Sequence, residues 1–165
     1  MNRADLKRRL LSAVFQQAAQ AGRLPAATVG DVMTHGPLCV QPSLNALDLV
    51  HLFHEKRFRH LLVSEQGRLV GIISDRDVVR LFGTHDAPEP DYLEKITAGE
   101  LMSTNLITVQ ANTTLIEAVG LIVDNGISCL PVVSGVEAIG ILTSTDLYLS
   151  LEQLLLSVLP APVGV

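Results

Sequence analysis

The heptapeptide Gly71-Ile72-Ile73-Ser74-Asp75-Arg76-Asp77 and its echo Gly140-Ile141-Leu142-Thr143-Ser144-Thr145-Asp146 decide how this chain is read. Each is a glycine, two aliphatic residues, a hydroxyl residue and, three positions on, an aspartate. The aliphatic pair reads as the end of a buried strand, and the hydroxyl residue with its aspartate reads as the start of a helix. A strand turning directly into a helix presents backbone N–H groups that favour an anion, and the hydroxyl adds a donor. The aspartate in the first turn is placed to accept from two ribose hydroxyls, as a carboxylate does in dinucleotide-binding folds. The same string is also a capping box, which needs no ligand. Both readings stay open on these residues alone.

Working outward, the two heptapeptides are the best-matched parts of a longer repeat. At an offset of 69, Met33 falls on Met102, Val40 on Val109, Leu61 on Leu130, Val63 on Val132 and Asp77 on Asp146, without a gap. Each copy reads as a short helical turn (around Val32–Met33 in the first), an extended piece (Leu38–Val40), a helix, two strands and a final helix. Asn45 with Asp48, and Thr114 with Glu117, signal the start of the first long helix in each copy. Leu49, Leu52 and Phe53, matched by Ala118, Leu121 and Ile122, give it one buried stripe. Gly126 suits a left-handed cap at the end of the second copy's helix. Its counterpart Arg57 does not, so the first copy's helix is expected to end by another geometry. Strands follow at His60–Val63 and Leu69–Ser74, then at Cys129–Val133 and Ala138–Thr143, with Gly67 and Gly135 in the turns.

The fold class is therefore α+β, an α/β sandwich. Two β-α-β-β-α repeats pack sheet to sheet as a pseudo-twofold pair, with an extra N-terminal helix. Each repeat alone is of marginal size for folding. The organisation reads as an N-terminal helix and lead-in (1–28), repeat one (29–83), a Pro-containing linker (84–96), repeat two (97–151) and the end of the last helix with its tail (152–165). Leu6, Leu10, Val14 and Ala18 mark one face of a helix over 3–20. The last helix carries Leu147, Leu151, Leu154, Leu155 and Val158, a wide stripe that suits a surface between subunits or folds back on its own core.

Composition narrows the function classes. Of 165 residues 48% are hydrophobic, only 18% are charged and the net charge is −5, which argues against a broad phosphate-backbone interface. Cys39 and Cys129 form no CxxC, so no disulfide or zinc site is expected and a reducing, cytoplasmic setting is the default. No apolar run is long enough to span a membrane. The basic stretch Lys7-Arg8-Arg9 before Leu10–Phe15 is too short for a secretory signal and reads as an amphipathic helix, with a faint likeness to a transit peptide. His51, His54 and Glu55 could share a metal by spacing but lack a third distant ligand. No nucleophile elbow, P-loop or GxGxxG is present, so no catalytic role is expected.

The segments VGDVMT, VQPSLNALDLV and RHLLVSEQGRLVGIISDRDVV, with their second copies AGELMS, VQANTTLIEAV and SCLPVVSGVEAIGILTSTDL, resemble CBS domains over about residues 29–151. The resemblance implies a Bateman module whose inter-repeat clefts bind AMP, ADP, ATP or S-adenosylmethionine as a regulatory ligand, with no metal. It implies that Asp77 and Asp146 hold ribose, beside Ser74 and Thr143. It further implies an adenine slot built from Cys39–Val40, Ile107–Thr108, His60–Leu62 and Cys129–Pro131. The individual candidates are Val40, His60, Leu62, Ile107, Cys129 and Pro131. Modules of this kind commonly pair as homodimers. The partner expected to sense the ligand is a separate effector protein, with no nucleic acid and no membrane involved.

The two expected sites differ in charge. Arg76 gives the first a guanidinium fork suited to phosphate, with Arg80 one turn on and Lys56, Arg57 and Arg59 nearby. The second has Thr145 and Leu149 at the positions of Arg76 and Arg80. Phosphate is thus expected to prefer the first. The competing reading is a dimeric interaction scaffold with empty clefts, in which both aspartates are helix caps.

Overall fold

The computed structural model describes residues 27–83 and 89–158, together with Arg9, Ser12 and Ala13 of the N-terminal segment. The expected helix over 3–20, the centre of the linker and the tail beyond Val158 lie otherwise outside the described residues. The fold is mixed α+β with two small sheets and helices, as the repeat pattern predicts. The first repeat runs α1 (Val29–Val32), β1 (Thr34–His35), β2 (Cys39–Val40), α2 (Ala46–Lys56), β3 (His60–Glu65), β4 (Arg68–Ser74) and α3 (Asp75–Phe82). After α4 (Pro90–Leu93), the second runs α5 (Ala98–Leu101), α6 (Leu115–Asn125), β5 (Cys129–Ser134), β6 (Glu137–Thr143) and α7 (Ser144–Val158).

Local chemistry starts nearly every helix. Asn45 Oδ1 accepts from Asp48 N (2.8 Å), capping α2. Thr114 and Glu117 form the equivalent capping box on α6. The short helices α1 and α5 carry boxes of their own, Thr28 with Asp31 and Thr97 with Glu100. Hydrogen bonds from Thr97 and Thr114 hold the carboxyls of Glu100 and Glu117 below the usual glutamate range.

Helix ends correct one expectation. Arg57 terminates α2 in the left-handed region (φ 52°, ψ 33°), nearly the geometry of Gly126 at the end of α6 (φ 62°, ψ 30°). A non-glycine residue is strained there, so the packing that fixes the chain's exit from α2 overrides the local preference.

The first sheet has the order β2-β3-β4, with β2 parallel to β3 and β4 antiparallel. His60 faces Ser74, Leu61 faces Ile73, Leu62 faces Ile72 and Val63 faces Gly71. Because side chains alternate along a strand, the sheet has two distinct faces. Leu61, Val63 and Ile73 join Val40, Leu49, Val78 and Ala98 in one buried cluster. His60, Leu62, Ile72 and Ser74 belong to the opposite face.

The compact units are not the two halves of the sequence. One unit comprises His35–Thr108 with Val133–Gly140; the other comprises the described residues of Met1–Thr34, Val109–Val132 and Ile141–Val165. The lead-in helices are exchanged between repeats. Ala98 and Gly99 of α5 donate to Leu44 O (2.7 Å) and Pro42 O (2.8 Å) of the first repeat. Val29 and Gly30 of α1 donate to Thr113 O (2.8 Å) and Ala111 O (2.7 Å) of the second. A methyl group at Gly30 would lie 3.0 Å from Ala111 O, so the lead-in approaches closely because it has no side chain there. Leu69 N donates to Val136 O (2.9 Å), tying the second hairpin's tip to β4.

Candidate functional site

At the end of β4, Ser74 stops the strand and caps α3. Asp77 Oδ2 accepts from the Ser74 backbone N (2.8 Å) and from its Oγ (2.7 Å), while Ser74 Oγ accepts from Asp77 N (3.3 Å). The other carboxylate oxygen, Oδ1, accepts from Arg80 Nη1 (3.2 Å). Asp77 is thus a helix cap whose outer oxygen is held, among the described residues, by an exposed arginine. An ion pair of that kind contributes about 0–1 kcal/mol, so a ligand hydroxyl can displace it at little cost.

The residues around this turn carry the charge. Arg76 is exposed on the first turn of α3, and its guanidinium makes no ion pair among the described residues. Arg59 pairs with Asp75 (Nε to Oδ2, 3.6 Å), and Arg59 O accepts from Asp75 N (3.0 Å), closing the hairpin's base onto the helix start. His60 sits opposite Ser74 in the sheet register. Burial pushes its pKa below the ordinary imidazole value, with Arg59 and Arg76 acting in the same direction and Asp75 and Asp77 opposing them. His60 is therefore neutral at physiological pH.

Of the slot residues, Leu62 is buried on the same sheet face as His60 and Ser74. Val40 pairs with Val63 and joins the core cluster, so its side chain is committed to packing. Cys39 pairs with Leu62 and so shares the His60 face instead. Burial raises its thiol pKa, against a hydrogen bond with Ser64 that lowers it.

The second turn repeats the geometry with neutral neighbours. Asp146 Oδ2 accepts from Thr143 N (2.7 Å) and Oγ1 (2.8 Å). Ser128 O accepts from both Ser144 N (2.9 Å) and Ser144 Oγ (3.1 Å), replacing the Arg59–Asp75 pair. Thr145 is exposed, and Leu149, at the position of Arg80, is buried. Cys129 takes the place of His60; it is buried, and its thiol is pushed up to about 12, which keeps it inert. Pro131 is buried, and its carbonyl accepts from Val109 N (3.1 Å). Ile107 is half-buried and belongs to the other compact unit.

Two neighbours of the first turn escaped the sequence reading. Asp75 is one, since its partner Arg59 lies just before the far strand of the hairpin. The other is the α5 lead-in. Ser103 exchanges backbone hydrogen bonds with Ile72 (3.1 and 2.9 Å), and Met102 lies so close over Gly71 that an added methyl would collide with its side chain. The glycine of the heptapeptide is thus required by close approach. His51, His54 and Glu55 are exposed. Among the described residues no group of three or more His, Cys, Asp or Glu could hold a metal ion, and no helix is long and apolar enough to cross a membrane.

A duplicated βαββα unit with exchanged lead-in helices and a capped strand-to-helix turn in each copy defines a tandem α+β repeat module. The CBS domain family model matches residues 29–83 and 98–152, and the chain belongs to the CBS domain family. An uncharacterised protein of Methanopyrus kandleri is 31% identical over 122 residues, covering 73% of this chain and 60% of the relative. Two further archaeal relatives are spanned over 45% and 24% of their lengths, so the chain corresponds to only part of these proteins. A solved structure of an uncharacterised conserved protein from Pyrococcus horikoshii shares 26% identity at a TM-score of 0.65, covering 84% of this chain and 98% of that one. The crystal structure of CBSX2 in complex with AMP shares 32% identity at a TM-score of 0.66, covering 76% and 96%. The CBSX2 of Arabidopsis thaliana is a chloroplastic CBS domain-containing protein, 45% identical over 53 residues, which are 32% of this chain and 22% of that protein.

Proposed function

We propose that the chain is a non-catalytic, cytoplasmic regulatory module. It binds an adenosine-containing ligand (AMP, ADP, ATP or S-adenosylmethionine) and passes the resulting conformational shift to a separate effector protein, acting as a homodimer. The observation that carries this reading is the duplicated strand-to-helix turn, with an exposed Arg76 beside the Ser74–Asp77 cap in one copy. The likeness to CBSX2, solved with AMP, supports an adenine nucleotide as the ligand. In the first site Asp77 Oδ1 exchanges Arg80 for ribose hydroxyls, Ser74 and the first N–H groups of α3 face phosphate, Arg76 neutralises it, and adenine lies along Cys39–Val40 and His60–Leu62. Thr143, Asp146, Cys129 and Pro131 form the second, uncharged site, suited to ligands with fewer phosphates.

Calorimetric titration with AMP, ATP, adenosine and S-adenosylmethionine tests the reading, with Arg76→Ala and Asp77→Asn compared against the parent chain. AMP binding is expected. Arg76→Ala should weaken AMP and ATP by about 1.5–3 kcal/mol while leaving adenosine nearly unchanged. Absence of heat and of any thermal shift with all four would overturn the ligand reading. A scaffold whose clefts stay empty would then be favoured, because both aspartates are already satisfied as caps.

A further inference from the structure

In the first repeat, the segment leading toward the second repeat packs on a helix. α4 lies against α2, and its Leu93 is buried. Ile96 O then accepts from Ala46 N (2.8 Å), and Thr97 bridges Asn45, at the start of α2. The second repeat reproduces both ties. Ala27 O accepts from Leu115 N (3.0 Å), and Thr28 bridges Thr114, at the start of α6. Three residues before Ile96 stands Leu93; three before Ala27 stands Leu24. The segment that ends at Ala27 therefore arrives at α6 in the register in which the α4 segment arrives at α2.

α6 has an apolar face that no described residue covers. Ile116 (86% exposed), Val119 (40%) and Val123 (69%) recur at the spacing of one helical face. Their counterparts on α2 are Leu47 and Val50, both half-buried, and His54. We propose that residues 3–26 of this same chain dock on α6, with Leu24 as the anchor equivalent to Leu93 and the Leu6, Leu10, Val14 and Ala18 face laid over Ile116, Val119 and Val123.

Three observations select this occupant. The chain is tied at the start of α6 by Ala27 and Thr28, so docking is intramolecular and has a high effective concentration. Residues 21–26 can span roughly 20 Å when extended, more than the ~16 Å length of an 11-residue helix such as α6. Charge is complementary as well. The segment carries Arg3, Lys7, Arg8, Arg9 and Arg23 against a single acid, Asp5, whereas α6 carries Glu117 and Asp124 and no base. Arg9, Ser12 and Ala13 are helical, with Arg9 and Ala13 exposed and Ser12 half-buried.

Hydrogen–deuterium exchange on the full chain tests the docking, with Leu24→Asp and Val123→Glu altering its two sides. Each variant is expected to speed exchange about tenfold both in residues 3–20 and in 115–125. The far-UV spectrum of the rest of the fold should stay intact, since Val123 is exposed in the described structure. Unchanged exchange in both segments would overturn the proposal. Protection of α6 that vanishes on dilution but ignores Leu24→Asp would also overturn it, and would place a second copy of the chain on this face.

Discussion

The strand-to-helix turns at Ser74 and Thr143 share one backbone solution and differ in almost every side chain around it. In the first, Arg59, His60, Asp75, Arg76 and Arg80 surround the capped aspartate; in the second the same positions are Ser128, Cys129, Ser144, Thr145 and Leu149. The backbone bond from Asp75 N to Arg59 O recurs as Ser144 N to Ser128 O, so the turn keeps its shape without the ion pair. Shape is thus fixed by capping and register, which both copies need in order to fold. Charge is left free to differ between the turns. Duplication followed by such divergence gives one scaffold two chemically distinct surfaces.

The largest expected difference concerns the caps themselves. Asp146 is buried, whereas Asp77 is half-buried. Removing the more buried acceptor leaves the Thr143 N–H and hydroxyl without their partner where water replaces it less readily, a penalty of about 2–3 kcal/mol. At Ser74 water can replace the carboxylate, and the loss should be that of an ordinary cap, about 1 kcal/mol. Chemical denaturation of Asp146→Ala and Asp77→Ala measures both. Equal losses would mean that the two turns are equally solvated and that the contrast between them is electrostatic alone.

A smaller effect is expected at the ends of the equivalent helices α2 and α6. Arg57 and Gly126 hold the same left-handed conformation, at φ 52° and 62°. Gly126→Ala should cost about 1 kcal/mol, and Arg57→Gly should gain roughly 0.5–1 kcal/mol by relieving the strain that arginine tolerates. Melting temperatures of the two single variants are the measurement. A destabilised Arg57→Gly would show that the arginine's own contacts outweigh its backbone strain.

These contrasts also show which features a sequence carries on its surface. The capping pairs, the apolar stripe of α2 and α6 and the alternating strands are local patterns, and they are legible because each depends on residues two to four apart. The exchange of α1 and α5 between repeats depends on Gly30 and Gly99 meeting Ala111 and Pro42, partners far away in the chain, and no local pattern encodes it. β1, with two residues, is too short to leave a periodic signal. α7 is instructive in another way. Its described buried residues are Asp146, Leu149, Ser150 and Gln153, while Leu151 and Leu155 of the expected stripe are exposed and Leu147 and Leu154 half-buried. Ser150 is accommodated because its hydroxyl donates to Asp146 O (2.8 Å), a bond that hydropathy alone does not register. At the candidate site, the capped turn was legible and the Asp75–Arg59 closure and Met102 over Gly71 were not, since both join segments that sequence order keeps apart.

The subtlest difference between the repeats is a dependence on pH. Burial lowers the pKa of His60 in the folded chain, so the unfolded imidazole, titrating near 6.5, takes its proton first as the solution is acidified. The contribution of neutral His60 to stability is therefore complete above pH 6.5 and is lost progressively as pH falls from there through the folded pKa. Cys129, its counterpart, stays protonated throughout this window because burial moves its thiol to about 12. His60→Cys should accordingly flatten the decline of stability below pH 6.5, while Cys129→Ser leaves the decline in place. Denaturation midpoints between pH 5 and pH 7.5 decide it. A parent and a His60→Cys chain with the same slope would mean that Asp75 and Asp77 compensate the burial of His60. The imidazole would then be as ready to accept a proton as one in water, and the first turn would gain a further positive group beside Arg59, Arg76 and Arg80 at mildly acid pH.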